Sequence, residues 1–140
     1  MSGPELIRVM IVDDHEMVRR GLALSLQVFD DFELVGQAAD GVEALQLVPV
    51  CRPDVILMDL LMPQMDGLSA TKVVRRETPQ IKVIALISFK EERLVEAARQ
   101  VGADEVLLKN ISIDELAAAI RTVMKAGNSP INPNGFPTAS

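Results

Sequence analysis

The sequence predicts an α/β fold, a (βα)5 doubly wound parallel sheet of five strands, and three observations carry that prediction. Short apolar runs alternate with longer amphipathic segments five times over about 120 residues, the pattern of strands joined by crossover helices. The runs are apolar almost throughout, as expected for strands covered on both faces. Aromatic content is only 3%, with no Trp or Tyr, so the core must be built from aliphatic residues and Met.

Taken in order, Leu6–Val12 is the first strand, stopped by Asp13-Asp14. Glu16–Val28 repeats apolar residues (Met17, Val18, Leu22, Leu24, Leu26) at helical spacing. Phe32–Ala38 is the second strand. Asp40-Gly41 opens a second helix running to about Val48, with Pro49 and Pro53 bracketing a break. Val55–Met58 is the third strand and runs into Asp59. Leu68–Glu77 is helical, and Thr78-Pro79 ends it.

Lys82–Ile87 is the fourth strand, followed by a helix at Glu91–Val101 that Gly102 stops. Glu105–Leu108 is a short fifth strand leading to Lys109. Ser112 caps a last helix, Ile113–Ala126, with Asp114 and Glu115 in the first turn, where the helix dipole favours acids. Residues 5–126 thus read as one folded domain, long enough to bury a core. Residues 127–140 hold three prolines and no periodicity, and read as a linker or disordered tail with no DNA-binding domain in this chain.

Net charge is −6. The basic pairs Arg19-Arg20 and Arg75-Arg76 are isolated on helices, so no nucleic-acid contact is expected from this chain. The single cysteine, Cys51, excludes an internal disulfide and fits a reducing, cytoplasmic setting. No stretch approaches the ~20 apolar residues of a membrane span, and no membrane association is expected.

Ligands of open α/β sheets bind beyond the carboxyl ends of the strands. Strands one, three and five end there on Asp13-Asp14, Asp59 and Lys109. Clustered carboxylates repel one another, and a divalent cation relieves that repulsion. An all-oxygen cluster that keeps waters suits Mg²⁺ and invites phosphate as a further ligand. Each residue alone has a plainer reading as a helix cap, a turn or a solvated strand end. Their convergence on one rim favours a site.

These residues resemble the receiver domain of two-component response regulators. The likeness rests on Asp13-Asp14, the MDLLMPQMDG block (Met58–Gly67) and LLKN (Leu107–Asn110), and it spans about residues 5–126. GADEVLLKNIS and the LLMP after Asp59 look most like the NarL/LuxR type, whose members usually continue into a DNA-binding helix-turn-helix. The resemblance implies a flavodoxin-like receiver fold with strand order 2-1-3-4-5. It implies that Asp59 takes a phosphoryl group from a sensor histidine kinase, with Mg²⁺ held by Asp13, Asp14, Asp59 and the Leu61 carbonyl. Lys109 would pair with a phosphoryl oxygen, and Pro63 and Gly67 would shape the following loop. Such domains are phospho-acceptors rather than enzymes, often pair as homodimers, and control transcription through an output domain. His15, the sole histidine, reads as the entry to the first helix, without a catalytic role.

Two positions depart from the family pattern, and both concern output. Receivers typically carry Thr or Ser at the end of strand four, 22 residues before the lysine, and counting back from Lys109 gives Ile87. Ser88 has a hydroxyl, but a one-residue shift turns it to the opposite face unless a bulge intervenes. The Tyr or Phe usual three residues before the lysine is Val106 here, a compact side chain with little rotamer range. A pseudo-receiver, binding a protein partner without phosphorylation, is therefore the alternative. A phosphohydrolase would need an acid two residues after Asp59, where this chain has Leu61.

Overall fold

The computed structural model describes residues 5–62 and 65–126. Pro63 and the 127–140 segment lie outside the described residues. Five strands, β1 (Ile7–Val12), β2 (Phe32–Ala38), β3 (Val55–Asp59), β4 (Lys82–Ile87) and β5 (Glu105–Leu108), alternate with five helices. These are α1 (Glu16–Gln27), α2 (Gly41–Cys51), α3 (Gly67–Glu77), α4 (Glu92–Gln100) and α5 (Ile113–Ala126). The strands are all parallel, in the order β2-β1-β3-β4-β5.

Successive strand side chains point to opposite faces, and here both faces are apolar. Val9, Ile11, Val55, Leu57, Ile84 and Leu86 pack with Leu26 of α1 and with Leu116, Ala117, Ile120 and Val123 of α5. Met10, Val12, Ile56, Met58, Val83, Ala85 and Ile87 pack against Ala44 and Val48 of α2, Ala70 and Val74 of α3, and Ala98 of α4. Two helices therefore cover one face and three the other, with most of the largest fully buried side chains on β1, β3 and β4. Each fully buried Ile or Leu contributes about 2 kcal/mol through its transfer from water.

Side chains cap the N-termini of α2, α3 and α5. Asp40 accepts from the Glu43 N–H at 2.9 Å, and Asp66 accepts from the Ser69 N–H at 2.7 Å. Ser112 Oγ accepts from the Glu115 N–H at 3.1 Å and donates to the Glu115 carboxylate at 3.3 Å.

One boundary overturns expectation, because α2 runs through Pro49 to Cys51 rather than stopping near Val48. Pro49 lies in the last turn, where its ring costs one backbone hydrogen bond and little else. Arg8 of β1 compensates: its guanidinium donates to the Cys51 carbonyl at 2.6 Å and to the Arg52 carbonyl at 3.0 Å. Arg52 then ends the helix in a left-handed conformation, φ 50°. The basic pairs are also taken up locally. Arg19 donates to the Asp13 carbonyl at 2.6 Å, Arg20 pairs with Glu16, and Arg75 donates to the Pro79 and Ile81 carbonyls.

Candidate functional site

The chain turns from β2 back across β1 to β3, so the sheet has its switch point between β1 and β3. That crevice is where open α/β sheets bind ligands. Asp13 follows β1 directly, and its N–H donates to the Ala38 carbonyl at 3.0 Å, which extends the β1–β2 pairing to this residue. Asp59 is the last residue of β3, one position further than the sequence suggests, and pairs in register with Leu86. Lys109 follows β5, and its N–H donates to the Ile87 carbonyl at 2.8 Å. The three strand ends are thereby fixed by sheet hydrogen bonds rather than by loops.

Asp13 and Asp59 are almost fully buried, at 1% and 4% exposure. Lys109 Nζ lies 2.8 Å from Asp13 Oδ2 and 3.2 Å from Asp59 Oδ1, one ammonium shared by two carboxylates. Asp59 Oδ1 also accepts from the Leu61 N–H at 3.3 Å. Asp13 Oδ1 accepts from the His15 backbone N–H at 2.8 Å. Asp59 Oδ2 and Asp14 Oδ1 are buried without a hydrogen-bond partner among the described residues.

Burial raises the pKa of the Asp59 carboxyl above its ordinary value, and the Asp13 charge adds to this. Lys109 and the Leu61 N–H pull the other way without cancelling it. Burial pushes the Lys109 ammonium down, but contact with Asp13 and Asp59 outweighs it, leaving the pKa above the ordinary value. The lysine is well served by this arrangement, whereas Asp59 is left short of compensation.

Asp13, Asp14, His15 and Asp59 each offer a ligand atom, all within 4.8 Å of one another. Three carboxylates face one ammonium there, so a divalent cation would offset charge that Lys109 alone leaves. Buried carboxylate oxygens without hydrogen bonds are the donors that a hard cation takes. The residues therefore fit an oxygen-ligated metal ion.

Gly67 makes the return loop possible. A Cβ there would stand 2.1 Å from the Asp59 carbonyl oxygen and 2.6 Å from the Leu60 Cα, and its N–H donates to the Leu60 carbonyl at 3.1 Å. Leu61 and Phe89 are both exposed at 63%. Ile87 is buried with Met58 and Leu60, and Val106 packs against the same cluster. β4 pairs with both neighbours in unbroken register, so no bulge turns Ser88, which is exposed beyond the strand end.

His15 does stand at the entry to α1, as the sequence suggests, and its ring also approaches the carboxylate cluster. Its ring Nδ1 lies 3.1 Å from both Asp13 Oδ1 and Asp14 Oδ1, while its side chain provides no cap to α1. Adjacency to Asp14 was the available signal.

The family model "Response regulator receiver domain" matches residues 9–121. The response regulator protein VraR of Staphylococcus aureus is 44% identical over 127 residues, covering 91% of this chain and 60% of that protein. The chain thus spans about three-fifths of the length of that curated relative. The NarL signal receiver domain of Mycobacterium tuberculosis superposes with a TM-score of 0.83 at 35% identity, covering 87% of this chain and 98% of the other. A LuxR-family DNA-binding response regulator from Staphylococcus aureus gives 0.80 at 31%, covering 85% and 99%. Among the described residues no helix is long and apolar enough to cross a membrane.

Proposed function

The chain belongs to the response regulator receiver domain family, of the NarL/LuxR type, and from that membership we propose that Asp59 accepts a phosphoryl group from a sensor histidine kinase. The observation that carries this reading is the Asp59 carboxylate itself: buried at a strand end, with Oδ2 free of hydrogen bonds among the described residues and Lys109 beside Oδ1. A bond forms between an Asp59 oxygen and phosphorus while the phosphorus–nitrogen bond of the kinase phosphohistidine breaks. The electron pair of that bond returns to the imidazole. Lys109 then moves from Asp59 toward a phosphoryl oxygen as a point charge.

Mg²⁺ is the cofactor in this reading, and it supplies charge neutralisation on the transferring group. Asp13, Asp14, Asp59 and the Leu61 carbonyl would hold it. Residues 5–126 would form the receiver and 127–140 a linker toward an output domain that regulates transcription. In this reading the setting is cytoplasmic and the domain can pair as a homodimer.

The test is incubation with a small-molecule phosphodonor and Mg²⁺, followed by intact mass. Gain of one phosphoryl group in the wild type, lost in Asp59→Asn and without Mg²⁺, is the expected result. No gain in the wild type would overturn the reading. It would favour the second one, a pseudo-receiver that binds a protein partner without phosphorylation, toward which the core-like packing of Ile87 and Val106 points.

A further inference from the structure

We propose that His15 is a nitrogen ligand of the metal centre, and that it makes the site prefer d-block divalent ions such as Ni²⁺, Co²⁺ and Zn²⁺ over what carboxylates alone would select. This inference rests on the metal site of the proposed function and assigns it a donor that the all-oxygen reading lacks.

The geometry is that of a ligand rather than of a capping residue. His15 Nδ1 stands 3.1 Å from Asp13 Oδ1 and 3.1 Å from Asp14 Oδ1. Adjacent ligands on an octahedral ion with bonds near 2.1 Å are about 3.0 Å apart, and on a tetrahedral ion about 3.3 Å apart. Opposite ligands of the octahedron are separated by about 4.2 Å, against an upper bound of 4.8 Å for the four donor atoms here.

The ring nitrogen stands at the same distance from both carboxylate oxygens. The ring is within bonding geometry of Asp13 Oδ1. Asp14 Oδ1 stays buried and without a hydrogen bond, although the ring nitrogen is 3.1 Å away. The ring nitrogen and one oxygen of each of Asp13, Asp14 and Asp59 lie within 4.8 Å of one another, close enough to share one ion. Asp59 Oδ2, buried to the same degree as its residue and unpartnered, is the independent sign that the cluster is aimed at a ligand.

The choice of ion follows from the donor. Mg²⁺ is a hard cation that prefers oxygen and gains little from imidazole. Imidazole suits Zn²⁺, Ni²⁺ and Co²⁺, and a given site generally binds Ni²⁺ more tightly than Co²⁺. A mixed site of one imidazole and two or three carboxylates is therefore expected to bind both classes, with His15 setting the margin between them.

The test uses the tag-free full chain, in which His15 is the sole histidine. Ni²⁺ and Mg²⁺ affinities are measured by calorimetry for the wild type, His15→Ala and Asp59→Asn. His15→Ala is expected to weaken Ni²⁺ at least ~10-fold while leaving Mg²⁺ within about two-fold. With Co²⁺, the His15 ring protons should acquire large paramagnetic shifts, a signature of direct ligation that a structural role would not produce. Unshifted ring protons, or Ni²⁺ and Mg²⁺ affinities that change together in His15→Ala, would overturn the inference and leave the Mg²⁺ reading standing. Loss of both ions in Asp59→Asn supports a shared centre. A wild type that binds neither ion would overturn this inference and the metal reading together.

Discussion

The N–H of Lys109 donates to the carbonyl of Ile87 at 2.8 Å. The cation proposed to meet the phosphoryl group is thus joined by backbone to the position where the family places its reporting hydroxyl. Ile87 fills that position with a methyl-rich side chain buried against Met58 and Leu60.

Replacing Ile87 with Thr is expected to restore a hydroxyl near the acceptor at a stability cost of about 1 to 2 kcal/mol, from burying a polar group in an apolar cluster. With Mg²⁺ and beryllofluoride, amide shifts in the wild type should stay near the β1, β3 and β5 ends. In Ile87→Thr they should spread into α4. Broad α4 shifts in the wild type, with nothing added by Thr, would show that coupling never depended on this position.

Asp59→Asn is expected to stabilise the fold at neutral pH by on the order of 1 kcal/mol. The folded carboxyl titrates above its unfolded value, so the folded state holds its proton more tightly. Stability therefore falls as pH rises between those two values, and the cost persists at neutrality. Asn removes it, so the gain should vanish below the ordinary carboxylate range. Urea unfolding at neutral and acid pH measures the difference.

Lys109→Ala is expected to destabilise by about 2 kcal/mol, because Asp13 and Asp59 lose the one cation beside them. The lysine titrates above its ordinary value when folded, so its stabilisation is complete below that value. It is lost as pH rises through the folded pKa, which lies in strongly alkaline solution. Wild-type and variant unfolding curves should converge there and differ at neutrality.

Gly67→Ala should cost about 3 kcal/mol and weaken Mg²⁺ binding along with it. Its Cβ would run into the Asp59 carbonyl, which belongs to backbone and has no flexible side chain to swing aside. A variant with wild-type melting temperature and Mg²⁺ affinity would show that the loop relaxes freely.

Most of the architecture was legible in the order of residues. Both faces of β1, β3 and β4 are buried, so their apolar runs announced strands, and β2, β4, β5 and α5 begin and end where pattern and caps place them. The path of α2 past Pro49 was not legible, because the donor that closes its end is Arg8, far away in sequence. Asp13, Asp14, Asp59 and Lys109 could be found because strand ends share one rim. His15 stood in view beside Asp14, but the approach of its ring to two carboxylates depends on the turn into α1 and leaves no periodic trace.

The strand order has a consequence for how the charges of the rim are held. Asp13 and Asp59 stand at the ends of the inner strands β1 and β3, each paired on both sides, whereas Lys109 is carried by β5, which pairs only with β4. The carboxylates are thus anchored in the middle of the sheet and their counter-charge is delivered from its edge. Loosening of that edge strand would strip the rim of its ammonium while leaving the acids in place.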